Sequence, residues 1–292
     1  MLNGFDHVTV VVPELAPVVQ RLSALLGVQP FFVGGHPELG TESALFGLAN
    51  AAIELVAPTP ATDDREGAAQ ALRELIAQTG GGLQAVAFTT ADAELSSSTL
   101  RERGTRATKP QPGIAVSQDG SVTRSYRIVE LSPKAARGLA VLAVERAEPL
   151  VAAEHVTSDP SCVHALDHVV IRTADIDAAR ALYGEQLGIR LALERELRGT
   201  RMLFFRIGGV TLEVVLDPTL AASDVLWGYA FRVRDIEAAH ARMRDAGFDL
   251  SALRDGLKPG TRIFTVRNET GNVPTLILFD PAREQPRKMD DA

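Results

Sequence analysis

The strongest constraint on this chain is that it repeats itself. Phe5-Asp6-His7-Val8 recurs as Leu166-Asp167-His168-Val169, and Leu26-Gly27-Val28 as Leu187-Gly188-Ile189, both 161 positions on. Gly40-Thr41 recurs as Gly199-Thr200, and Ile53-Glu54-Leu55-Val56 as Leu212-Glu213-Val214-Val215, both 159 positions on. A second pair of segments matches at an offset of 143: Val86-Ala87-Phe88, Asp92 and Gly104 parallel Tyr229-Ala230-Phe231, Asp235 and Gly247. The chain therefore reads as four modules, the first like the third and the second like the fourth. A repeat copies one supersecondary unit, so the clearest module predicts the others.

Each module opens on an apolar, β-branched run that reads as a strand: Phe5–Val12, Leu83–Thr90, Leu166–Thr173 and Trp227–Val233. A helical stripe follows, as Leu15, Val18, Val19, Leu22, Leu25 and Leu26 in the first module and Ile176, Ala179, Tyr183 and Leu187 in the third. Asp175 and Asp235 stand at N-cap positions, and Gly27, Gly188 and Gly247 where helices stop. In the second module Ser96-Ser97-Ser98 is expected to interrupt the helix. Three more strands follow, clearest in the third module as Arg190–Glu196, Met202–Ile207 and Val210–Leu216, with a Gly208-Gly209 hairpin between the last two. The plan is βαβββ, four times, an α+β chain. Modules 4–58 and 83–146, joined by a helix over 63–80 with Asp63 and Glu66 as a capping box, form a first domain 1–146. Residues 147–164 read as a linker, modules 166–217 and 227–280 as a second domain 165–281, and 282–292 as a mobile tail.

Composition narrows the function classes. A formal charge of −7 with no basic cluster argues against a nucleic-acid footprint. The lone Cys162 rules out an internal disulfide and a Cys-rich zinc site. No apolar run approaches a membrane span and no secretion signal is seen, so a cytoplasmic protein without membrane or nucleic-acid partners is expected. Gly34-Gly35 and Gly80-Gly81-Gly82 lack the spacing and lysine of a phosphate loop, and no nucleophile elbow or dinucleotide fingerprint is found.

Strand alternation then selects candidate residues. His168, Val170 and Arg172 share one face, opposite Val169, Ile171 and Thr173, and Glu213 lies opposite Leu212, Val214 and Leu216. His7 and Glu54 follow the same pattern. A carboxylate in mid-strand among apolar neighbours costs several kcal/mol unless paired or liganded. Imidazole plus carboxylate suits Fe²⁺, Mn²⁺, Ni²⁺, Co²⁺ or Zn²⁺, while an inert hydrogen-bonded pair is the competing reading. Arg172, its counterpart Arg232, and His36, placed in a loop beside Pro37, are candidate substrate-binding residues.

Strand, helix and three strands, with His on the first strand and Glu on the last, resembles the vicinal oxygen chelate superfamily, over roughly residues 4–280. His36-Pro37, Gly40-Thr41 and Arg137-Gly138-Leu139 are similar to its glyoxalase-like members. The resemblance implies that modules pair into two bowl-shaped mixed sheets, each able to hold one divalent metal through His and Glu. It assigns His7, Glu54, His168 and Glu213 as metal ligands and catalytic residues. The pattern is incomplete: Ala85 and Gly228 stand where the second and fourth modules should carry His, and Val141 or Leu142, and Leu276, where they should carry Glu. Each bowl thus holds half a site. The two residues act without metal, or others complete the site, or modules one and three meet to unite His7, Glu54, His168 and Glu213. The second bowl, where Arg172 joins His168 and Glu213, is the better candidate. The expected function is an enzyme of lyase or isomerase type, with or without a divalent metal, acting on a small oxygen-rich molecule. A sequestering protein of the bleomycin-resistance type is the alternative, and extradiol ring cleavage the weakest reading. A small-molecule ligand is the expected partner, and a homodimer is compatible with the plan.

Overall fold

The computed structural model describes residues 1–59 and 67–284. Strands β1 (Leu2–Val11), β2 (Phe32–His36), β3 (Thr41–Leu48) and β4 (Ala51–Pro58) with helix α1 (Leu15–Leu26) make the first module. Helix α2 (Ala68–Thr79) leads to β5 (Gly82–Thr90), α3 (Ala93–Glu102), β6 (Gln111–Ser117), β7 (Thr123–Glu130) and β8 (Ala140–Glu145). The third module is β9 (Ala165–Thr173), α4 (Ile176–Arg180), β10 (Arg190–Leu197), β11 (Thr200–Ile207) and β12 (Val210–Leu216). The fourth is β13 (Val225–Arg232), α5 (Ile236–Asp245), β14 (Arg254–Asp255), β15 (Arg262–Val266) and β16 (Thr275–Phe279), closed by α6 (Pro281–Glu284). The fourfold βαβββ plan is present throughout, in two eight-stranded mixed sheets.

Sequence-adjacent modules pair. β1 runs antiparallel to β5, and each is parallel to the last strand of its own module, β4 and β8. β9 and β13 repeat the arrangement with β12 and β16. The two sheets differ at their edges. The first closes into a barrel, because β2 pairs with β6 through Gly34 opposite Ser117 and Gly35 opposite Val116. These glycines supply space: a Cβ on Gly34 would stand 2.1 Å from the Val116 carbonyl oxygen, and one on Gly35 2.1 Å from that of Thr41. By strand register their counterparts on β10 are Arg195 and Glu196, and β14 has only two residues, so the second sheet stays open.

The expected caps form. Asp175 accepts from the Asp177 and Ala178 amides, Asp235 accepts from that of Ala238, and Gly27 ends α1 at φ 78°. Helix α3 runs unbroken through its serines, contrary to expectation. Ser96 bonds Thr90 Oγ1 at 2.7 Å and Ser97 donates to the Thr108 carbonyl at 2.6 Å, so neither hydroxyl competes for the helix backbone. The third-module helix widens after Arg180, where the Leu187 amide reaches the Leu182 carbonyl at 2.9 Å, an i to i−5 bond. Asp63, Glu66 and residues 285–292 lie outside the described residues. Residues 282–284, read as the start of a tail, belong to α6. One hydrophobic core runs through both halves, from Val8, Leu25 and Ile53 to Ile171, Leu212 and Phe231. No helix among the described residues is long and apolar enough to cross a membrane.

Candidate functional site

A β-bulge shapes the site. In the β1–β5 ladder Phe5 faces Phe88 and His7 faces Ala87, which leaves Asp6 as an extra residue. Bulges re-aim side chains. Asp6 and His7 would point to opposite faces of a regular strand, yet here His7 Nδ1–H donates to Asp6 Oδ1 at 2.5 Å. The second sheet repeats the device: Leu166 faces Phe231, His168 faces Ala230, and Asp167 is extra. His168 Nδ1–H donates to Asp167 Oδ2 at 2.9 Å. An arginine just past each domain's last strand fixes the carboxylate. Arg146 grips Asp6 through Nε and Nη2, both at 3.2 Å, and Arg283 Nη1 grips Asp167 at 2.8 Å.

Strand β4 sets Glu54 in register with Thr9, beside His7. Glu54 Oε2 lies 3.3 Å from His7 Nε2 and accepts from Thr9 Oγ1 at 3.1 Å. Its other oxygen faces His36 Nε2 at 3.9 Å. His36 ends strand β2 rather than lying in a loop, and barrel closure carries it inward. Its Nδ1–H donates to the Ile114 carbonyl on β6 at 2.9 Å, and Tyr126 Oη lies 3.4 Å from the same nitrogen. The order is thus Arg146, Asp6, His7, Glu54, His36. It borders a cavity of about 140 Å³ inside the barrel, walled by Leu45, Ile128, Leu142 and Val144. Arg124 and Ser43 also line it. Ser43 Oγ and Arg124 Nε are buried without hydrogen-bond partners among the described residues.

Charge holds the network together. Burial opposes protonation of His7, but Asp6 and Glu54 outweigh it and push its pKa up to about 9. His36 is raised as well, burial again being outweighed by Glu54 and the Ile114 carbonyl. Burial would raise Glu54, yet His36 and His7 hold it well below the usual carboxylate range. Burial and the nearby Glu54 push Tyr126 up to about 12. At neutral pH the cavity presents the His7 imidazolium beside the ionised Glu54 carboxylate.

The second sheet brings fewer groups together. Glu213 Oε2 is 3.8 Å from His168 Nε2, beyond hydrogen-bond reach. Arg172 is paired with Asp217 rather than standing beside Glu213, and Arg232 Nη1 is 4.0 Å from Asp167. The first barrel thus brings more polar side chains together than the second bowl. Within one chain, modules one and three do not unite their donors, since His7 faces Glu54 and His168 faces Glu213. Ala85, Gly228 and Leu276 contribute no donor, and a Cβ on Gly228 would meet the Pro274 carbonyl oxygen at 2.6 Å. The sequence did not single out Asp6, Ser43, Arg124, Tyr126 or Arg146. Only Asp6 left a signal, in the repeated Asp-His pair.

The same donors are the ones a divalent ion would use. Among the described residues no group of three or more His, Cys, Asp or Glu is arranged to hold one. Both oxygens of Glu54 face imidazoles, His7 at 3.3 Å and His36 at 3.9 Å. As placed, the set does not fit a metal ion, and no step is assigned to one.

Residues 5–160 match the glyoxalase-like domain family, and residues 165–274 the glyoxalase/bleomycin resistance protein/dioxygenase superfamily. No curated protein matches the sequence. Among solved structures, a triple mutant of 4-hydroxymandelate synthase from Streptomyces coelicolor is similar over 95% of this chain and 92% of that one, at 14% identity and a TM-score of 0.70. A hypothetical protein from Staphylococcus aureus is similar over 96% and 99%, at 9% identity and a TM-score of 0.60. A methylmalonyl-CoA epimerase from Streptomyces coelicolor is similar over 51% of this chain and 100% of that one, at 23% identity and a TM-score of 0.40. The first two share the whole fold.

Proposed function

The chain belongs to the vicinal oxygen chelate superfamily, with a glyoxalase-like first half, and from that premise we propose that its first barrel moves a proton on a small enolisable acid. The observation that carries this reading is the row Asp6, His7, Glu54, His36 at the edge of a cavity of about 140 Å³. An apolar cavity of about 150 Å³ holds a molecule of benzene's size, so the ligand has about six non-hydrogen atoms. Arg124 and the unpartnered Ser43 hydroxyl suit a carboxylate, the His7 imidazolium suits a carbonyl oxygen, and the aliphatic wall suits a short carbon chain. A short 2-oxo acid has all three parts.

The chemistry is an enolisation. Glu54 takes the proton from the carbon next to the carbonyl, and the C–H electron pair moves onto the carbonyl oxygen as an enolate. His7 Nε2–H donates to that oxygen, while Asp6 and Arg146 keep the ring oriented and charged. Glu54 is a weak base while His36 and His7 face it. When the His7 N–H is shared with the substrate oxygen, its part of that lowering is relieved and Glu54 becomes more basic as the enolate forms, while His36 still faces it. Return of the proton to the same or a neighbouring atom gives isomerase chemistry, and loss of a β-substituent from the enolate gives lyase chemistry.

The test is proton exchange at C3 of 2-oxobutyrate in deuterated water, followed by NMR. The wild-type chain is expected to accelerate exchange, Glu54→Gln to lose the effect, and His7→Gln to lower it by two or more orders of magnitude. Binding without exchange would replace the enzyme by a sequestering protein.

A further inference from the structure

One end of the first barrel is filled by the chain's own linker. Directly paired residues share a sheet face. Leu45 lines the cavity, so its partner Phe32 points inward too, and Gly47, two residues on, brings its partner Ala52 to the same face. Ala115 on β6 lines the cavity as well. Leu150, only 7% exposed, packs with Phe32, Leu45, Ala52 and Ala115 in an apolar cluster separate from the main core. All four strand residues of that cluster point inward, so the Leu150 side chain stands inside the barrel end. The fold makes room for this segment. A Cβ on the inward-facing Gly47 would stand 2.8 Å from Val151 Cγ1 and 3.2 Å from His155 Cβ. The His155 ring in turn stacks on Phe31 at 4.9 Å.

Leu45 and Ala115 belong both to the cavity wall and to the cluster, so Leu150 closes the cavity on that side. The closed end is also the arginine's end. Arg124 pairs with Ala115 across β6 and β7. Its Nη1 donates to the Leu150 carbonyl at 3.3 Å, and its guanidinium lies over Phe31 and Phe32, 5.0 and 5.5 Å from the ring centres. A carboxylate held by Arg124 therefore has Leu150 and Phe32 behind it. Charge and size are selected by different residues. Arg124 compensates an ionised group that burial would otherwise penalise, while Leu150 leaves no room for a substituent on that group.

We propose that Leu150 is a specificity-determining residue of the first barrel: by filling the barrel end behind Arg124 it restricts the ligand to a free carboxylate and excludes acids whose carboxyl group carries a substituent, such as N-alkyl amides, esters and thioesters. The choice of acid rests on the enolisation reading, whereas the closed end does not.

The test returns the missing atoms from the ligand side. Leu150→Ala exchanges an isobutyl group for a methyl group, and N-isobutyl-2-oxobutyramide carries an isobutyl group into the space left. Proton exchange at C3 of this amide in deuterated water is compared with that of unsubstituted 2-oxobutyramide, which has the same charge. The wild-type chain is expected to favour the small amide at least tenfold in kcat/KM, and Leu150→Ala to shrink that preference at least tenfold. Leu150→Val, a smaller truncation in case Leu150→Ala does not fold, should shift it severalfold in the same sense. Val163→Ala, on the same linker but in the main core, should leave it unchanged. A preference unaltered in the Leu150 variants would overturn the proposal. A second measurement does without the reaction. Isobutylbenzene, too large for a cavity of about 140 Å³, should bind the Leu150 variants and not the wild-type chain, moving the Ala115 methyl and His7 ring resonances together. No difference between variant and wild type, or shifts at Ala115 that leave His7 unmoved, would overturn it as well. Absence of 2-oxobutyrate exchange in the wild-type chain would end the enolisation reading and leave isobutylbenzene to decide this one.

Discussion

At the scale of single residues, His7 makes the first barrel sensitive to pH. Its ordinary value is 6.5 and its folded value about 9, raised by Asp6 and Glu54 against burial. The folded state therefore holds a proton that the unfolded chain releases. The resulting stability is fully present below about 6.5 and fades as pH climbs through 9, at about 1.4 kcal/mol per pH unit between them. Asp6 and Glu54 are lowered, so their contribution has the opposite sense and fades as pH falls below the ordinary carboxylate range. Urea denaturation from pH 6 to 10 should show the alkaline decline in the wild-type chain and a flatter profile in His7→Gln. The pairs His7 with Glu54 and His168 with Glu213 were legible in the sequence, because alternation along a strand fixes facing. The partnership of Asp6 with His7 was not, because a bulge suspends the alternation. Arg146 was hidden for another reason: it stands 140 positions from Asp6, and nothing local joins them.

At the scale of elements, the modules were legible because each strand and helix carries its own periodicity and stop signals. Barrel closure was not. In the sequence Gly34 and Gly35 could only be excluded as a phosphate loop, yet they are the point where β2 meets β6, and their lack of side chains permits the contact. His36 enters the site only through that closure. Gly34→Ala is expected to push the seam apart and destabilise the chain by about 1–3 kcal/mol, the usual effect of overpacking. Amide exchange should rise first along β2 and β6, and the His36 ring should lose its bond to the Ile114 carbonyl. Unchanged exchange there would mean that the seam tolerates a methyl group.

At the scale of the whole molecule, the halves are joined by contacts that no module predicts. Arg242 on α5 reaches across to the end of α1, donating to the Ala24 carbonyl at 2.5 Å and the Leu25 carbonyl at 2.8 Å. A cation at a helix C-terminus is favourable, and these carbonyls have no partner within the helix. Asn50 pairs with both backbone groups of Leu166, at 2.8 and 3.0 Å, and Arg137 with Asp224 at 3.0 Å. Arg242→Ala should cost about 1.5–3 kcal/mol, and calorimetry should then resolve two transitions in place of one. The doubled Asp-His bulge has a consequence of its own. A trio of acid, imidazole and acid, with an arginine behind it, occurs once within a closed wall and once on an open floor. Observed side by side in one sample, His7 and His168 report how enclosure, and the closer glutamate and second imidazole that come with it, change one and the same acid-imidazole pair.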